Sequence, residues 1–434
     1  MPRRLPAVLV AFLCGAASLL AMTPSQAQPT STAALSLSAL PGSAQTLAPG
    51  MYSGELAAAG PGYAKVTRAV ADTITVSLIT APAVSGGDPS ASLTLQLPDG
   101  TSCAASGTSP SRIDRSSGLR SAVVTLAGLP AVPGAATVPA ACGSATTLLI
   151  VVQVTAPAGA GAQLGITREP PINGAPSPAA VGIEQTPPLA PSLDITGAPV
   201  NGDRPYASAT TLTQGSYSLD LRPQRLQTFR VRVGWGQQIG VSLEAPRDAT
   251  TFVPSSNTMI GLTLWSPQLV PINPAAVNSI PDTITLPADN GTPQRIASGS
   301  AQVSWSNRVN PAVAPASNLS PEALTWTSVA GWYYVTIRST PSPPTGGATT
   351  TAQQQIVPTR LNVAVTGIAV SGPTYVDAAG NTISASKPTA QQAPTPSSST
   401  PWWRISASAG ILLLTAAAMA WAVRRRRSQS AVQR

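Results

Sequence analysis

The chain has 434 residues, of which only 9% are charged, and its isoelectric point is about 10.1. Eight of the 25 basic residues lie near the two termini, whereas all 16 acidic residues lie between Glu55 and Asp377, so residues 28–401 carry a net charge of only +1. This excludes a nucleic-acid-binding surface that depends on overall charge. The sequence contains no histidine, which excludes Ser-His-Asp and Cys-His catalysis and most zinc and copper sites.

Arginine is strongly preferred to lysine, since Lys65 and Lys387 are the only lysines in the chain. Alanine and proline are abundant as well. This bias is typical of a GC-rich genome and favours a bacterial, high-GC Gram-positive source.

Residues 1–27 are predicted to be a secretory signal peptide, because a positive start with Arg3 and Arg4 precedes an apolar segment over 7–22. Small residues at Ser25 and Ala27 favour cleavage after Ala27. Twin-arginine export is the less favoured alternative, since residues 5–6 fit that motif poorly. A lipid anchor on Cys14 is rejected, because a leucine precedes it where a small residue is expected.

An internal duplication is the main feature of the exported part of the chain. Short patterns in the first half recur in the same order in the second half, beginning with an offset of 165 residues. The matched stretches are 46–53 with 211–218, 56 with 221, 74–78 with 239–243, 93–95 with 262–264, 148–154 with 333–337, and 163–166 with 360–363.

The repeated stretches have the character of β-strands. Residues 73–78 and 229–233 alternate polar and apolar side chains, which predicts one buried and one wet face, and residues 148–152 are continuously apolar. Turn sequences such as 98–100 and 201–203 separate them. The chain is therefore predicted to be all-β, with two tandem jelly-roll or Ig-like β-sandwich domains at 40–172 and 204–372.

Two segments outside the sandwiches have a different composition. Residues 173–203 are rich in proline and glycine and are predicted to be an extended connector. Residues 373–401 are predicted to be a disordered stalk, because the stretch from 384 onwards offers no apolar side chain to bury.

The segment 405–423 is predicted to be a transmembrane helix, since nineteen residues without a charge reach about 30 Å as a helix. Arg424, Arg425, Arg426 and Arg427 follow it and mark 424–434 as a cytoplasmic tail. The ectodomain is then outside the cell membrane, and the protein spans it once. Retention of this helix is favoured over sortase cleavage, because no Leu-Pro-x-Thr-Gly motif precedes it.

Cys103 and Cys142 are the cysteines that remain after removal of the signal peptide, and in an exported protein they are predicted to form a disulfide. Closing a loop of this length stabilises a fold by about 3–4 kcal/mol. Two buried free thiols are the alternative. A metal site is disfavoured, because two thiolates without histidine are too few ligands.

The second predicted domain contains all the tryptophans between the two ends of the chain: Trp235, Trp265, Trp305, Trp326 and Trp332. Exposed aromatic side chains on a β-sandwich can stack on sugars or form a protein contact, although most such residues lie in cores. Trp235, between two glycines of a predicted turn, is the candidate exposed contact residue.

No catalytic, cofactor-binding or metal-binding residue is predicted. The acidic residues are scattered singly, and no Gly-x-Ser-x-Gly elbow is present. The match of residues 384–387 to Ser-x-x-Lys lies in the predicted stalk and is attributed to chance. Residues 289–291, Asp-Asn-Gly, favour a hairpin turn over a calcium loop, because further acidic ligands are missing.

The second repeat resembles the bacterial pre-peptidase C-terminal domain family, mainly over 204–372 and faintly over 40–172. The likeness lies in Leu-x-x-Gly-x-Tyr at 212–217, in 229–233, in a Val-Ser-Leu strand at 241–243, and in 331–337. It implies a jelly-roll-like sandwich of a secreted or envelope protein. The acidic strand that the family often carries corresponds here to 259–264, which has no carboxylate, so no calcium site is carried over.

These features favour an envelope protein whose ectodomain contacts a protein or a glycan outside the membrane, and which is not an enzyme. The alternative is a non-catalytic accessory subunit of an envelope protease or secretion complex.

Overall fold

The computed structural model describes residues 33–56, 60–81, 91–103, 109–110, 112–113, 119–127, 139–154, 160–174, 198–202, 206–245, 258–272, 283–286, 295–308, 321–341, 356–377 and 379–384. The predicted signal peptide, most of the connector, the transmembrane segment and the arginine tail lie outside these residues. No helix among the described residues has the length and apolarity needed to cross a membrane.

The first half of the chain folds into a β-sandwich. Its elements are β1 Ala33–Ala34, β2 Thr46–Leu47, β3 Gly50–Glu55, β4 Gly60–Thr67, β5 Thr73–Thr80, β6 Ala91–Gln96, β7 Ser109–Pro110, β8 Arg112–Ile113, β9 Arg120–Leu126, α1 Ala140–Ser144, β10 Thr147–Val154 and β11 Gly161–Glu169, with a 3-10 turn at Pro41–Ser43. Sheet 1 has the order β2-β4-β10-β6-β7, and sheet 2 has the order β1-β3-β11-β5-β9-β8. All pairings are antiparallel except those of the short strands β1 and β2.

The second half folds into a sandwich as well. Its elements are β12 Ala198–Val200, β13 Thr210–Leu212, β14 Gly215–Leu221, β15 Leu226–Val233, β16 Gln238–Glu244, β17 Thr258–Trp265, β18 Pro271–Ile272, β19 Thr283–Leu286, β20 Arg295–Gly299, α2 Pro321–Trp326, β21 Gly331–Pro341 and β22 Val357–Thr366, with 3-10 turns at Tyr206–Ser208 and Trp305–Arg308. Sheet 3 has the order β13-β15-β21-β17-β18, with β19 paired to β17, and sheet 4 has the order β12-β14-β22-β16-β20. The all-β, sandwich-like prediction is confirmed.

The predicted duplication is confirmed strand by strand. Each strand of sheets 1 and 2, from β1 to β11 with β8 excepted, has a counterpart at the same place in sheets 3 and 4, and the first two strands of each sandwich pair parallel with their neighbours. Register is kept too: Gln163 pairs with Ser53, and Arg360 pairs with Ser218. The two sandwiches are therefore copies of one topology.

The duplication extends to single hydrogen bonds. The hydroxyl of Tyr52 donates to the carbonyl of Ala48 at 2.8 Å, and Tyr217 donates to Thr213 at 2.9 Å. We call these bonds the tyrosine hooks. They fix the chain where it crosses from the first sheet of each sandwich to the second.

Each sandwich has its own apolar core, made by the inward side chains of alternating strand positions. In β15, Phe229, Val231 and Val233 are buried, as the alternating pattern predicts. In sheet 1, β10 is buried almost throughout, as the continuously apolar pattern of 148–152 predicts for a central strand.

The predicted disulfide is present, since Cys103 and Cys142 are bonded with their Cα atoms 5.4 Å apart. It fastens α1 to the segment after β6. Arg68 holds the same corner from the other side: its buried guanidinium donates to the carbonyls of Cys142 and Gly143, both at 2.8 Å, and to those of Asp72, Ala127 and Ala145. Burial lowers the pKa of Arg68, and the Asp72 carboxylate opposes this shift.

The predicted domain boundaries need correction at three places. The first sandwich begins with β1, upstream of residue 40, and β12 lies inside the predicted connector 173–203. The beginning of the predicted stalk 373–401 is a hairpin of β23 Thr374–Val376 and β24 Thr382–Ser384. The hairpin forms because Asp377 accepts bonds from the Asn381 side chain and backbone, which lower its pKa, while Tyr375 is fully buried.

Candidate functional site

The predicted contact residue Trp235 is buried, with 2% of its surface exposed, so that prediction is wrong. After β22 the chain turns back at Gly367 and covers the indole. Val370 donates its backbone N–H to the carbonyl of Trp235 at 2.9 Å, and Gly372 lies so close to the ring that a Cβ atom there would meet the indole nitrogen at 2.1 Å. The turn pattern showed where Trp235 lies but not that a segment more than a hundred residues away would cover it.

The other four tryptophans of this domain are also buried or half-buried. Trp265 is completely buried, and Trp305, Trp326 and Trp332 are half-buried. A contact surface made of fully exposed indoles is therefore absent among the described residues. The half-buried rings remain as candidates.

An apolar cluster joins the two sandwiches through the outer faces of sheets 2 and 3. Its members from the first sandwich are Met51, Ile79 and Leu119, and its members from the second are Tyr206, Ala207, Ala209, Trp265, Leu269 and Tyr334. We call this cluster the junction. The Tyr206 ring meets those of Trp265 and Tyr334 edge-on, with centroids 5.8 and 5.2 Å apart. Aromatic pairs in this arrangement add to the stabilisation from burial.

The junction also contains a specific contact between the sandwiches. The Tyr334 hydroxyl lies 3.5 Å from the sulfur of Met51, and burial raises the pKa of Tyr334 while the nearby Arg230 opposes the shift. A side chain at the position of Gly165 would meet Ser77 and Leu269, so the missing Cβ allows the second sandwich to approach the first.

A cationic rim borders the junction at one end of sheet 3. Arg230 and Arg232 on β15 place their guanidinium carbons 4.7 and 5.6 Å from the centre of the Trp332 ring on β21. Arg230 is held in place by bonds to the hydroxyl of Thr211 at 2.9 Å and the carbonyl of Ala207 at 3.2 Å. Burial lowers the pKa of Arg232. We call Arg230, Arg232 and Trp332 the cationic rim.

A polar network, separate from the apolar junction, also links the two sandwiches. The buried carboxylate of Glu169, at the end of β11, forms an ion pair with Arg308 and accepts bonds from the indole of Trp305 at 3.1 Å and the hydroxyl of Tyr375 at 3.0 Å. Backbone bonds between 171–173 and 374–376 accompany it. One carboxylate thus fastens the first sandwich, the second sandwich and the hairpin together.

A shallow pocket of about 160 Å³ lies at the edge of sheet 4 between β12 and β14. Ser218, Asp220, Arg222 and Gln227 supply its polar groups, but Gln227 already donates to the backbone of Asp220 at 2.7 Å. Within the described part of the chain, no group of three or more Cys, Asp or Glu side chains is placed to hold a metal ion. Residues 289–291 lie outside the described residues.

No protein-family model matches the sequence, and no curated protein matches it. Among solved structures, the chain is similar to the CBM22-1-CBM22-2 tandem domain of Paenibacillus barcinonensis Xyn10C, with 11% identity, 73% of this chain and 86% of that chain covered, and a TM-score of 0.18. It is also similar to the CUB1-EGF-CUB2 domain of human MASP-1/3, with 8% identity, coverage of 72% and 99%, and a TM-score of 0.16. A third similar structure is the ANX2 ectodomain of Arabidopsis thaliana, with 9% identity, 73% of this chain and 83% of that chain covered, and a TM-score of 0.17. TM-scores this low carry no argument, so the architecture rests on the strands and their pairing.

The cationic rim was not found as a site from the sequence, although one signal for it exists. The alternating pattern of 229–233 predicts that Arg230 and Arg232 share the wet face of one strand. Nothing in the sequence shows that β21 pairs with β15 and brings Trp332 opposite Arg232.

Proposed function

We propose that the protein is an exported, single-pass envelope protein whose tandem β-sandwiches bind a protein or a glycan outside the membrane, without catalysing a reaction. The observation that carries this proposal is the cationic rim beside the junction. Binding sites occur preferentially where two domains meet, and stacked arginine and tryptophan side chains are typical of contact surfaces.

The finer fold supports a binding module. In each sandwich, successive long strands alternate between the two sheets, which supports the proposal of a double-sheet jelly roll. The resemblance of the second repeat to the pre-peptidase C-terminal family agrees with this order and remains a proposal. Jelly rolls hold their loops and outer faces rigidly, which suits recognition.

The anchor is proposed from the sequence. The uncharged segment 405–423 followed by four arginines fits one membrane span with a cytoplasmic tail. Under this proposal residues 28–401 are cleaved by protease added to intact cells, while a tag placed after Arg434 survives. Loss of the tag from intact, protease-treated cells would contradict this topology.

Pull-down of the full-length protein from detergent-solubilised membranes tests the binding role. We expect a protein or a polysaccharide to be retained through salt washes of moderate strength. Recovery of an envelope protease or a secretion complex would favour the accessory-subunit alternative. Recovery of the protein alone would count against both roles.

A further inference from the structure

We propose that residues 367–373, which we call the cover, open locally over Trp235 while both sandwiches stay folded. The open form presents the Trp235 indole and its N–H donor, which the closed form hides. The cover thereby controls access to an aromatic surface of the second sandwich. Its role in controlling access rests on the proposed binding function, whereas the opening itself does not.

The cover is fixed at its two ends but weakly held between them. At one end it continues β22, whose last residue pairs with β16, and at the other end the carbonyl of Thr374 accepts the backbone N–H of Asn173 at 2.7 Å. Between these points, the bond from Val370 to the carbonyl of Trp235 is the only hydrogen bond that joins the cover to another described residue. Segments with so few bonds open at a lower free energy than the strands of a core.

The closed cover also leaves a donor beneath it unpaired. The indole nitrogen of Trp235 is buried, donates to no described residue and faces the cover at Gly372. Trp265, which is also buried, donates its indole N–H to the hydroxyl of Thr336 at 2.8 Å. A buried donor without an acceptor destabilises the state that buries it, so the closed form is destabilised relative to one in which water reaches Trp235.

The side chains of the cover do little to hold it in place. Ile368 and Val370 are 82% and 48% exposed, so neither anchors the cover in the core. The chain turns sharply at Gly367, whose φ of +89° lies in the region that favours glycine, and Gly372 lies near the other end of the cover. Glycines near both ends let the cover swing away without moving β22 or the hairpin.

The test measures the modification of Trp235 by a tryptophan-selective alkylating reagent in the native, full-length protein in detergent micelles, with each site read by peptide mass spectrometry. Trp265 is the matched control, because it is buried in the junction and not under the cover. We expect Trp235 to be modified at least about tenfold faster than Trp265, since local opening costs less free energy than unfolding a sandwich.

Hydrogen exchange gives a second measure in the same protein. The amide of Val370 should exchange with a weaker dependence on urea than the amides of β16, because opening of the cover exposes little surface. This measurement needs no variant, so it tests the opening even where a substitution impairs folding.

The variant G372A pushes the cover away, because an added Cβ would lie 2.1 Å from the indole nitrogen of Trp235. It should speed the modification of Trp235 by about tenfold and leave that of Trp265 unchanged. G161A is the matched control, since a Cβ there would meet nothing within 4 Å, and it should change neither rate. Thermal unfolding of both variants is compared with that of the parent.

Equal modification rates of Trp235 and Trp265 in the parent would overturn the proposal, and so would equal urea dependence of the Val370 and β16 amides, since Trp235 would then be reached only by global unfolding. An unchanged Trp235 rate in a folded G372A variant would overturn it as well. If Trp235 is modified as expected while the pull-down recovers no partner, the cover stands and the proposed binding function fails. If the pull-down recovers a partner and the two rates are equal, only the cover fails.

Discussion

The two sandwiches have the same strand order and register, yet different interactions hold them together. The first contains no tryptophan and fastens its α1 corner with the Cys103–Cys142 disulfide and the five bonds of Arg68. The second has no cysteine. Its α2 corner is held by the buried Asn307 side chain, which donates to the carbonyl of Thr327 at 3.1 Å. The same topology is thus held together by a covalent bond in the first sandwich and by aromatic packing and hydrogen bonds in the second.

The difference follows from how much apolar area each copy buries. Aromatic side chains bury more area than any others, and the second core includes Phe229, Tyr333 and Trp235. The first core is built mostly from Leu, Ile, Val and Ala, together with the disulfide. A disulfide mainly destabilises the unfolded chain, so it compensates for a core of smaller side chains.

The largest expected effect is a difference between the two sandwiches in their free energy of unfolding at alkaline pH. Burial raises the pKa values of Tyr333 and Tyr334 well above 10, so both phenols stay protonated in the folded protein while the unfolded chain ionises. The stabilisation that these two protonated phenols contribute to the fold is fully present below pH 10 and is lost as the pH rises above it. At pH 11.5 the second sandwich should lose about 4 kcal/mol of its free energy of unfolding relative to pH 9.

Urea unfolding at the two pH values, followed by tryptophan fluorescence, measures this loss. In the first sandwich, burial raises the pKa of Tyr52 and its hydrogen bond to Ala48 opposes the shift, so we expect the first sandwich to be less sensitive to alkali than the second. The variant Tyr334→Phe should lose roughly half of the alkaline effect. An unchanged alkaline effect in that variant would contradict the assignment.

The next effect concerns the disulfide. Replacing Cys103 and Cys142 together by serine should lower the free energy of unfolding of the first sandwich by about 3–4 kcal/mol, because a loop that spans a separation of 39 residues is no longer closed. Hydrogen exchange of β10 in urea reports the first sandwich, and fluorescence of the buried Trp235 and Trp265 reports the second.

The tryptophan signal should shift less than the exchange of β10, since the second sandwich loses only its contacts at the junction. Equal shifts of both signals would show that the two copies unfold as one unit. Alkylation of either cysteine in the oxidised, native protein would show instead that the bond is not formed.

A smaller effect tests the junction itself. Met51→Ala removes a buried side chain that lies between the copies and should cost about 2 kcal/mol. It should also separate the unfolding of the two sandwiches, because fewer contacts link them. Leu148→Ala removes as many non-hydrogen atoms from the first core, away from the junction, and should destabilise the first sandwich without such separation.

The smallest effect compares the tyrosine hooks. Tyr52→Phe should cost about 1 kcal/mol, the usual contribution of one hydrogen bond. Tyr217→Phe should cost somewhat more, because the Tyr217 hydroxyl also accepts the backbone N–H of Thr213 at 3.0 Å. Urea midpoints of the two variants measure the difference, and a larger cost for Tyr52→Phe would contradict the extra stabilisation assigned to the Tyr217 hydroxyl.

The sequence by itself determined the features that depend on neighbours along the chain. Strand periodicity predicted the all-β fold, and repeated patterns at 46–53 and 211–218 predicted the duplication, because side-chain alternation and turn residues are local. The pairing of Cys103 with Cys142 followed from counting cysteines in an exported chain.

The tertiary structure alone decided which surfaces are covered. Trp235 is buried because the chain returns over it after β22, and Tyr375 is buried because the hairpin docks at Glu169. The junction and the cationic rim likewise depend on pairing between strands about a hundred residues apart, such as β15 with β21. Contacts of this range are set by the packing of whole sheets, which no local pattern specifies.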